Sequence, residues 1–223
     1  MIASLVLGVS CSGTGRPDAL SPTLEARLDR RIRELVGLGY SGQVLVAQGD
    51  RVILHRGYGW SDAQGRQPVT ERTGYYVASI TKNFTTAAIL KLRDMGRLRL
   101  TDTLDRFFPE APPDKRAITL EQLLTHTSGI VKNYAADGIT DREAAVQAIF
   151  NQPLGTPGEF HYTNDSYVLL GAVVEVASGE PIETFFSEQL FRPAGLRDSG
   201  FWGFVDIDDA TRFAHIQGDI PQE

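Results

Sequence analysis

Leu24, Leu28, Ile32, Leu35 and Val36 recur at helical spacing, which predicts an amphipathic helix with Ser21 as its N-cap and Pro22 at its first position. The pattern then changes period. G-Q-V-L-V-A-Q-G-D-R-V-I-L-H-R-G-Y-G reads as a hairpin, with strands over 42–48 and 51–58 and a turn at Gly49-Asp50. Val44, Leu45, Val46 and Ala47 are apolar in succession, which predicts a first strand covered on both faces. Ile80, Phe84, Ala88, Leu92 and Met95 restore a helical stripe from Ser79 to about Met95, with Gly96 as its stop signal.

Further helices announce themselves by their caps. Thr119 with Gln122 precedes L-L-T-H, and Thr140 with Glu143 precedes A-A-V-Q-A-I-F, two capping-box signatures. The Pro- and Gly-rich loop N-Q-P-L-G-T-P-G-E-F leads through H-Y-T-N-D-S into the strongly apolar helix Y-V-L-L-G-A-V-V-E-V-A, stopped near Gly179. Pro181 opens one more helix, I-E-T-F-F-S-E-Q-L-F. Strands lie near the N-terminus and helices dominate the middle, with no internal repeat or low-complexity segment.

Composition narrows the function classes. A chain of 223 residues, 42% hydrophobic and 22% charged, is long enough for one substantial core. Its net charge of −6 offers no nucleic-acid surface. Arg27, Arg30, Arg31 and Arg33 share the first helix with Glu25, Asp29 and Glu34, the pattern of a solvated face with intrahelical ion pairs. One cysteine, Cys11, excludes an internal disulfide, and the scattered His55, His126, His161 and His215 give no metal-ligand spacing. No metal or cofactor is expected. No stretch reaches the roughly 18 to 20 apolar residues of a spanning helix. The apolar run M-I-A-S-L-V-L-G-V-S ends at Cys11 and is followed by S-G-T-G-R-P. It resembles the end of a bacterial lipoprotein signal, although it lacks a positive n-region and has Gly8 where leucine is usual. Residues 1–20 are therefore expected to be a leader and linker with Cys11 as lipid anchor, placing the protein in the periplasm or on a membrane. The alternative is an apolar terminus on a cytoplasmic protein.

The stretch Y-Y-V-A-S-I-T-K-N-F carries the candidate chemistry. Ser79 and Lys82, three residues apart on a helix, share one face. They read either as a solvated serine with a surface lysine or as a nucleophile with its base. Other blocks bear on the choice: G-R-L-R-L-T-D-T-L, I-T-L-E-Q-L-L-T-H-T-S-G-I, P-G-E-F-H-Y-T-N-D-S-Y-V-L-L-G and L-F-R-P-A-G-L. In this order, over roughly residues 40–205, they resemble the serine β-lactamase and penicillin-binding-protein superfamily. The match is to its class C-like branch, with the D-alanyl-D-alanine carboxypeptidases and β-lactamase-like esterases. Class A members pair S-x-x-K with S-D-N, whereas a Y-x-N motif stands here.

The resemblance implies an α/β (α+β) fold: an antiparallel sheet flanked by helices plus a mainly helical subdomain at about 85–190, within a domain running over 21–223. It implies that Ser79, Lys82 and Tyr162 are catalytic and that Asn164 binds substrate and helps hold the lysine. A serine hydroxyl needs a base, and an ordinary lysine is protonated at neutral pH. Burial of Lys82 or a proton shared with the Tyr162 phenol would meet that need. Ser79 at a helix start would turn its backbone N–H toward an oxyanion. In L-L-T-H-T-S-G, His126 resembles a structural residue of the family, and no histidine base is required. No G-x-S-x-G occurs to support an α/β-hydrolase.

The superfamily carries a third motif, K-T-G or H-x-G, on a later strand. This sequence has no lysine after Lys132, and His215 in H-I-Q-G has one residue too many. The chain is therefore expected to be the N-terminal portion of such a domain, with the C-terminal strands missing and an unpaired hairpin edge. A truncated record, strands supplied by a second chain, or a degenerate remnant would each give this pattern. The expected function is a serine hydrolase acting on a β-lactam, a D-Ala-D-Ala peptide or a small ester through a Ser79 acyl-enzyme. The alternative is a catalytically incomplete fragment or a non-catalytic penicillin-binding-like protein. The expected partners are small-molecule or peptidoglycan-peptide substrates and no nucleic acid, with the oligomeric state open.

Overall fold

A computed structural model describes residues 23–62 and 64–201. Ser21, Pro22, the leader with Cys11, and His215 lie outside the described residues. Between Tyr76 and Val77 the described chain divides into two compact units.

The N-terminal unit holds helix α1 (Thr23–Val36) and the hairpin β1 (Gly42–Gln48) and β2 (Arg51–Tyr58). The strands pair antiparallel, Gly42 opposite Tyr58 and Gln48 opposite Arg51, with a register shift between Val46 and Ala47. Their bounds are those expected from the two apolar runs and the Gly49-Asp50 turn. Burial differs from expectation. Val44, Leu45 and Val46 are only half-buried and Ala47 is exposed. Among the described residues the sheet has two strands, with α1 packed on β2. An apolar run states what a strand tolerates, not how much of it is covered.

Polar contacts fasten α1 to β2. Asp29 accepts hydrogen bonds from Arg33 (2.9 Å), Arg56 (2.5 Å) and the Tyr58 hydroxyl (2.9 Å). The Arg33 bond most of all, with those of Tyr58 and Arg56, outweighs burial and holds the Asp29 carboxyl at about 2. A carboxyl whose folded pKa lies below its unfolded value stabilises the fold above the unfolded value, and that contribution disappears as pH falls through the folded one. The thermal midpoint of this unit is therefore expected to drop between about pH 4 and pH 2. Asp29→Asn is expected to lower the neutral midpoint and flatten that slope; equal slopes in both proteins would contradict the assignment.

The second unit is helical. A 3-10 turn (Ala78–Ile80) leads into α2 (Thr81–Asp94), followed by α3 (Leu104–Phe107), α4 (Leu120–Leu124), α5 (Arg142–Phe150), α6 (Asn164–Ser178) and α7 (Ile182–Phe186). The last runs into a π turn over Ser187–Phe191. Thr119 and Gln122 form the capping box expected of α4. At α5 the cap sits one residue later than expected: the Asp141 carboxylate accepts from Ala144 N. A carboxylate at that position also meets the positive end of the helix dipole. Gly179, at φ 78°, ends α6 in the left-handed conformation that glycine adopts without a Cβ penalty.

α6 is the central helix. It touches α2, α3, α4, α5 and α7. Leu169, Leu170, Val173 and Val174 on it are fully buried, against a core that includes Ile89, Leu92, Leu104, Leu120, Leu123, Ile149, Phe185 and Phe186. The strongly apolar reading of this helix thus has a structural cause, since a helix surrounded by others has little solvated face.

Candidate active site

The first turns of α2 and α6 bring together what lies far apart in sequence. Ser79 sits in the 3-10 turn just ahead of α2, and Lys82 lies in the first turn of α2. The residue before the serine, Ala78, has φ 42°. A non-glycine residue in the left-handed region costs free energy and persists only where its surroundings impose it. Ser79 is exposed and Lys82 half-buried, so the hydroxyl can be reached while the amine is sheltered.

Tyr162, Thr163 and Asn164 arrive at the head of α6. The Thr163 side chain caps the helix by accepting from Asp165 N (3.1 Å) and donates to Lys132 O (2.7 Å). Asn164 N donates to Asn133 Oδ1 (2.8 Å), and the buried Asp165 accepts from Ala135 N (2.9 Å). His161 Nε2 lies 2.9 Å from Val131 O. Residues 131, 132, 133 and 135 are thus each bonded to the approach or start of α6, and a short polar motif acquires a defined geometry.

Within that frame the Ser79 hydroxyl is 2.9 Å from the Tyr162 hydroxyl. Lys82 Nζ donates to Ser79 Oγ at 3.3 Å and to Asn164 Oδ1 at 2.5 Å. The ammonium also lies 4.9 Å from the centre of the Tyr162 ring and 5.6 Å from that of Tyr167. The Lys82 side chain foremost, and then the Ser79 hydroxyl, hold the Tyr162 phenol below the usual range against a desolvation that pushes it up. A phenol so placed gives up its proton more readily than an ordinary tyrosine. All four residues singled out from the sequence therefore stand in one hydrogen-bonded chain. That chain joins the Ser79 hydroxyl to a phenol and an amine, the side-chain types that take up a proton when deprotonated.

Two participants were not legible as such. The Asn133 side chain and the Asp165 carboxylate fix the loop and helix that present Asn164, and neither stands in a motif that marks it. Among the described residues no group of three His, Cys, Asp or Glu side chains could hold a metal ion. Among them, too, no helix is long and apolar enough to cross a membrane.

Known proteins share this arrangement of chain. A penicillin-binding protein of Bacillus subtilis (strain 168) is 30% identical over 171 residues, covering 72% of this chain and 38% of that one. An octameric penicillin-binding protein homologue from Pyrococcus abyssi superposes with a TM-score of 0.71 at 28% identity, over 85% of this chain and 47% of that one. A penicillin-binding protein from Bacillus halodurans gives 0.68 at 29% identity, over 81% and 59%. The chain spans about two-fifths of the length of the curated relatives it matches, 42% and 38% in two of them. The fold, an antiparallel hairpin with a helical unit built on α6, is that of the β-lactamase and penicillin-binding proteins. The family model described as Beta-lactamase matches residues 28–218, and with that match over most of its length the chain belongs to the beta-lactamase family.

Proposed function

We propose that the protein is a serine hydrolase that cleaves an ester or amide through an acyl-enzyme on Ser79. The observation that carries this reading is the hydrogen-bonded chain Tyr162 Oη, Ser79 Oγ, Lys82 Nζ and Asn164 Oδ1. The form that reacts is the Tyr162 phenolate, stabilised by the Lys82 side chain beside it; Ser79 Oγ attacks the carbonyl carbon while its proton passes to the phenolate oxygen, which becomes the phenol. Collapse of the tetrahedral intermediate breaks the bond to the alcohol or amine, which takes the proton from Tyr162. Water then attacks the acyl-serine, Tyr162 accepting its proton and returning one to Ser79 Oγ. Lys82 and Asn164 hold the serine and phenol in register throughout, which supplies the positional part of the rate.

The substrates proposed are those the superfamily resemblance implies: a β-lactam, a D-Ala-D-Ala peptide or a small ester. A stopped-flow assay with p-nitrophenyl butyrate, nitrocefin and a diacylated D-Ala-D-Ala peptide tests the reading. A burst of about one product equivalent per chain, followed by slower turnover, is expected of an acyl-enzyme route with at least one of them. A burst without turnover would indicate a chain that acylates and stalls. Neither burst nor turnover from folded, monodisperse protein would overturn the reading in favour of a binding protein.

A further inference from the structure

His126 touches the candidate site at three consecutive residues, His161, Tyr162 and Thr163, and the reaction as written assigns His126 no part. Its carbonyl accepts from His161 N (2.8 Å). Its Nδ1 accepts from Thr163 N (3.3 Å). Between those two bonds its ring lies against the Tyr162 ring, centroids 4.6 Å apart and planes inclined by 38°. The ring also lies 5.2 Å from that of Tyr167, with planes inclined by 38°, and meets Phe160 edge-on (5.9 Å). The backbone at His126 is itself strained, at φ 58°. A side chain held in a costly conformation, with its bonds bracketing one residue, points to that residue as what it serves.

We propose that His126 is a positioning residue for Tyr162, and that it works only as the neutral imidazole with Nδ1 bare. The proposal rests on the serine hydrolase reading above, because it is in that reaction that the Tyr162 oxygen must face Ser79. An acceptor at Nδ1 requires the proton on Nε2. Protonating the ring puts an N–H where Thr163 N–H already points, and two donors cannot share one bond. The titratable groups around the ring are Lys82 from α2, His161 and Tyr162 from the approach to α6, and Tyr167 from α6 itself. Burial first, and the Lys82 charge second, lower the His126 pKa and so favour the neutral ring. Acidification that protonates the ring is expected to release the approach segment and let the phenol swing from Ser79.

Two variants separate this role from simple packing. His126→Phe keeps a ring against Tyr162 and removes the acceptor. His126→Asn places an amide oxygen close to where Nδ1 stands, tolerates a left-handed backbone, and does not titrate. The Tyr162 titration, followed by ¹³Cζ NMR of tyrosine-labelled protein and assigned with Tyr162→Phe, reads positioning without any need for activity. The rate of Ser79 labelling by a fluorophosphonate between pH 5 and 8 reads its consequence. In the wild type Tyr162 is expected to titrate below the ordinary value of about 10. His126→Phe is expected to return it toward that value and to slow labelling about 10- to 100-fold. His126→Asn is expected to restore the wild-type Tyr162 titration and most of the neutral rate, and to flatten the acid limb below about pH 6.5.

An unchanged Tyr162 titration in folded His126→Phe would overturn the proposal, as would an acid limb in His126→Asn identical to that of the wild type. Should the Phe variant fail to fold, the acid limb of the Asn variant decides alone. A wild type that does not label at all counts against the hydrolase reading, and the Tyr162 titration then still decides the role of His126.

Discussion

Ser79→Ala is expected to abolish acylation and turnover without loss of fold, and Lys82→Ala to slow acylation about 10²- to 10⁴-fold. Ser79 is exposed and its side-chain bonds are to Tyr162 and Lys82, so the alanine leaves the packing of the helical unit untouched. Lys82→Ala removes three things together: the donor to Ser79, the donor to Asn164, and the charge beside the Tyr162 phenol. Tyr162→Phe keeps the ring against His126 and removes the oxygen that faces the nucleophile, with a loss of similar size expected. Groups that act as a unit give strongly non-additive losses. The Lys82→Ala, Tyr162→Phe double variant is therefore expected to label no more slowly than about the worse single variant. A double variant as slow as the product of the two single losses would mean that the lysine and the phenol act separately. Labelling rates with a fluorophosphonate, read by intact mass over time, measure all four proteins.

The second large effect is on stability. Phe186 is fully buried on α7, and its ring meets Phe191 (5.9 Å) and Phe201 (5.4 Å). Phe191 in turn meets Phe84 on α2 edge-on at 5.2 Å. Truncating such a ring loses its transfer free energy and leaves a cavity that neighbouring aromatics cannot fill, so Phe186→Ala is expected to cost about 3–5 kcal/mol. For a chain of this size that lowers the thermal midpoint by roughly 6–20 °C, measured by circular dichroism at 222 nm. Phe186→Leu, which keeps most of the volume, is expected to cost less than about half of that. Equal losses in the two variants would mean that filled volume does not set the cost and that the ring-to-ring contacts themselves do.

What was legible in the sequence was what local chemistry decides. The hairpin bounds follow from a Gly-Asp turn between two apolar runs, and the Thr119–Gln122 capping box and the Gly179 stop are short-range devices whose residues do the work themselves. The pairing of Ser79 with Lys82 is equally local, being one turn of helix. Features settled by packing were misread or missed. The shift of the α5 cap from Thr140 to Asp141 depends on which of two adjacent acceptors the loop presents. The π turn at Ser187–Phe191 widens a helix where Phe191 reaches the Phe84 and Phe186 rings, and no spacing rule announces that. The apolar run of β1 predicts cover on both faces, whereas burial depends on what is laid over it.

The site divides along the same line. Tyr162 and Asn164 are marked only by the superfamily resemblance of Y-T-N, because nothing local to them says that one faces a serine 83 positions away and the other a lysine 82 positions away. The superfamily resemblance marks His126 as structural only, whereas its contacts reach across 37 residues to Thr163. Its left-handed backbone leaves no mark on the residue pattern, since a lone residue other than glycine does not announce that conformation.

The most direct test of the account is covalent: incubate the folded, monodisperse chain with a fluorophosphonate, measure its intact mass, and map the modified peptide. A single adduct is predicted, located on Ser79 and lost in Ser79→Ala. No adduct, or an adduct that persists in Ser79→Ala, would contradict the claim that Tyr162, Lys82 and Asn164 are arranged around an activated nucleophile.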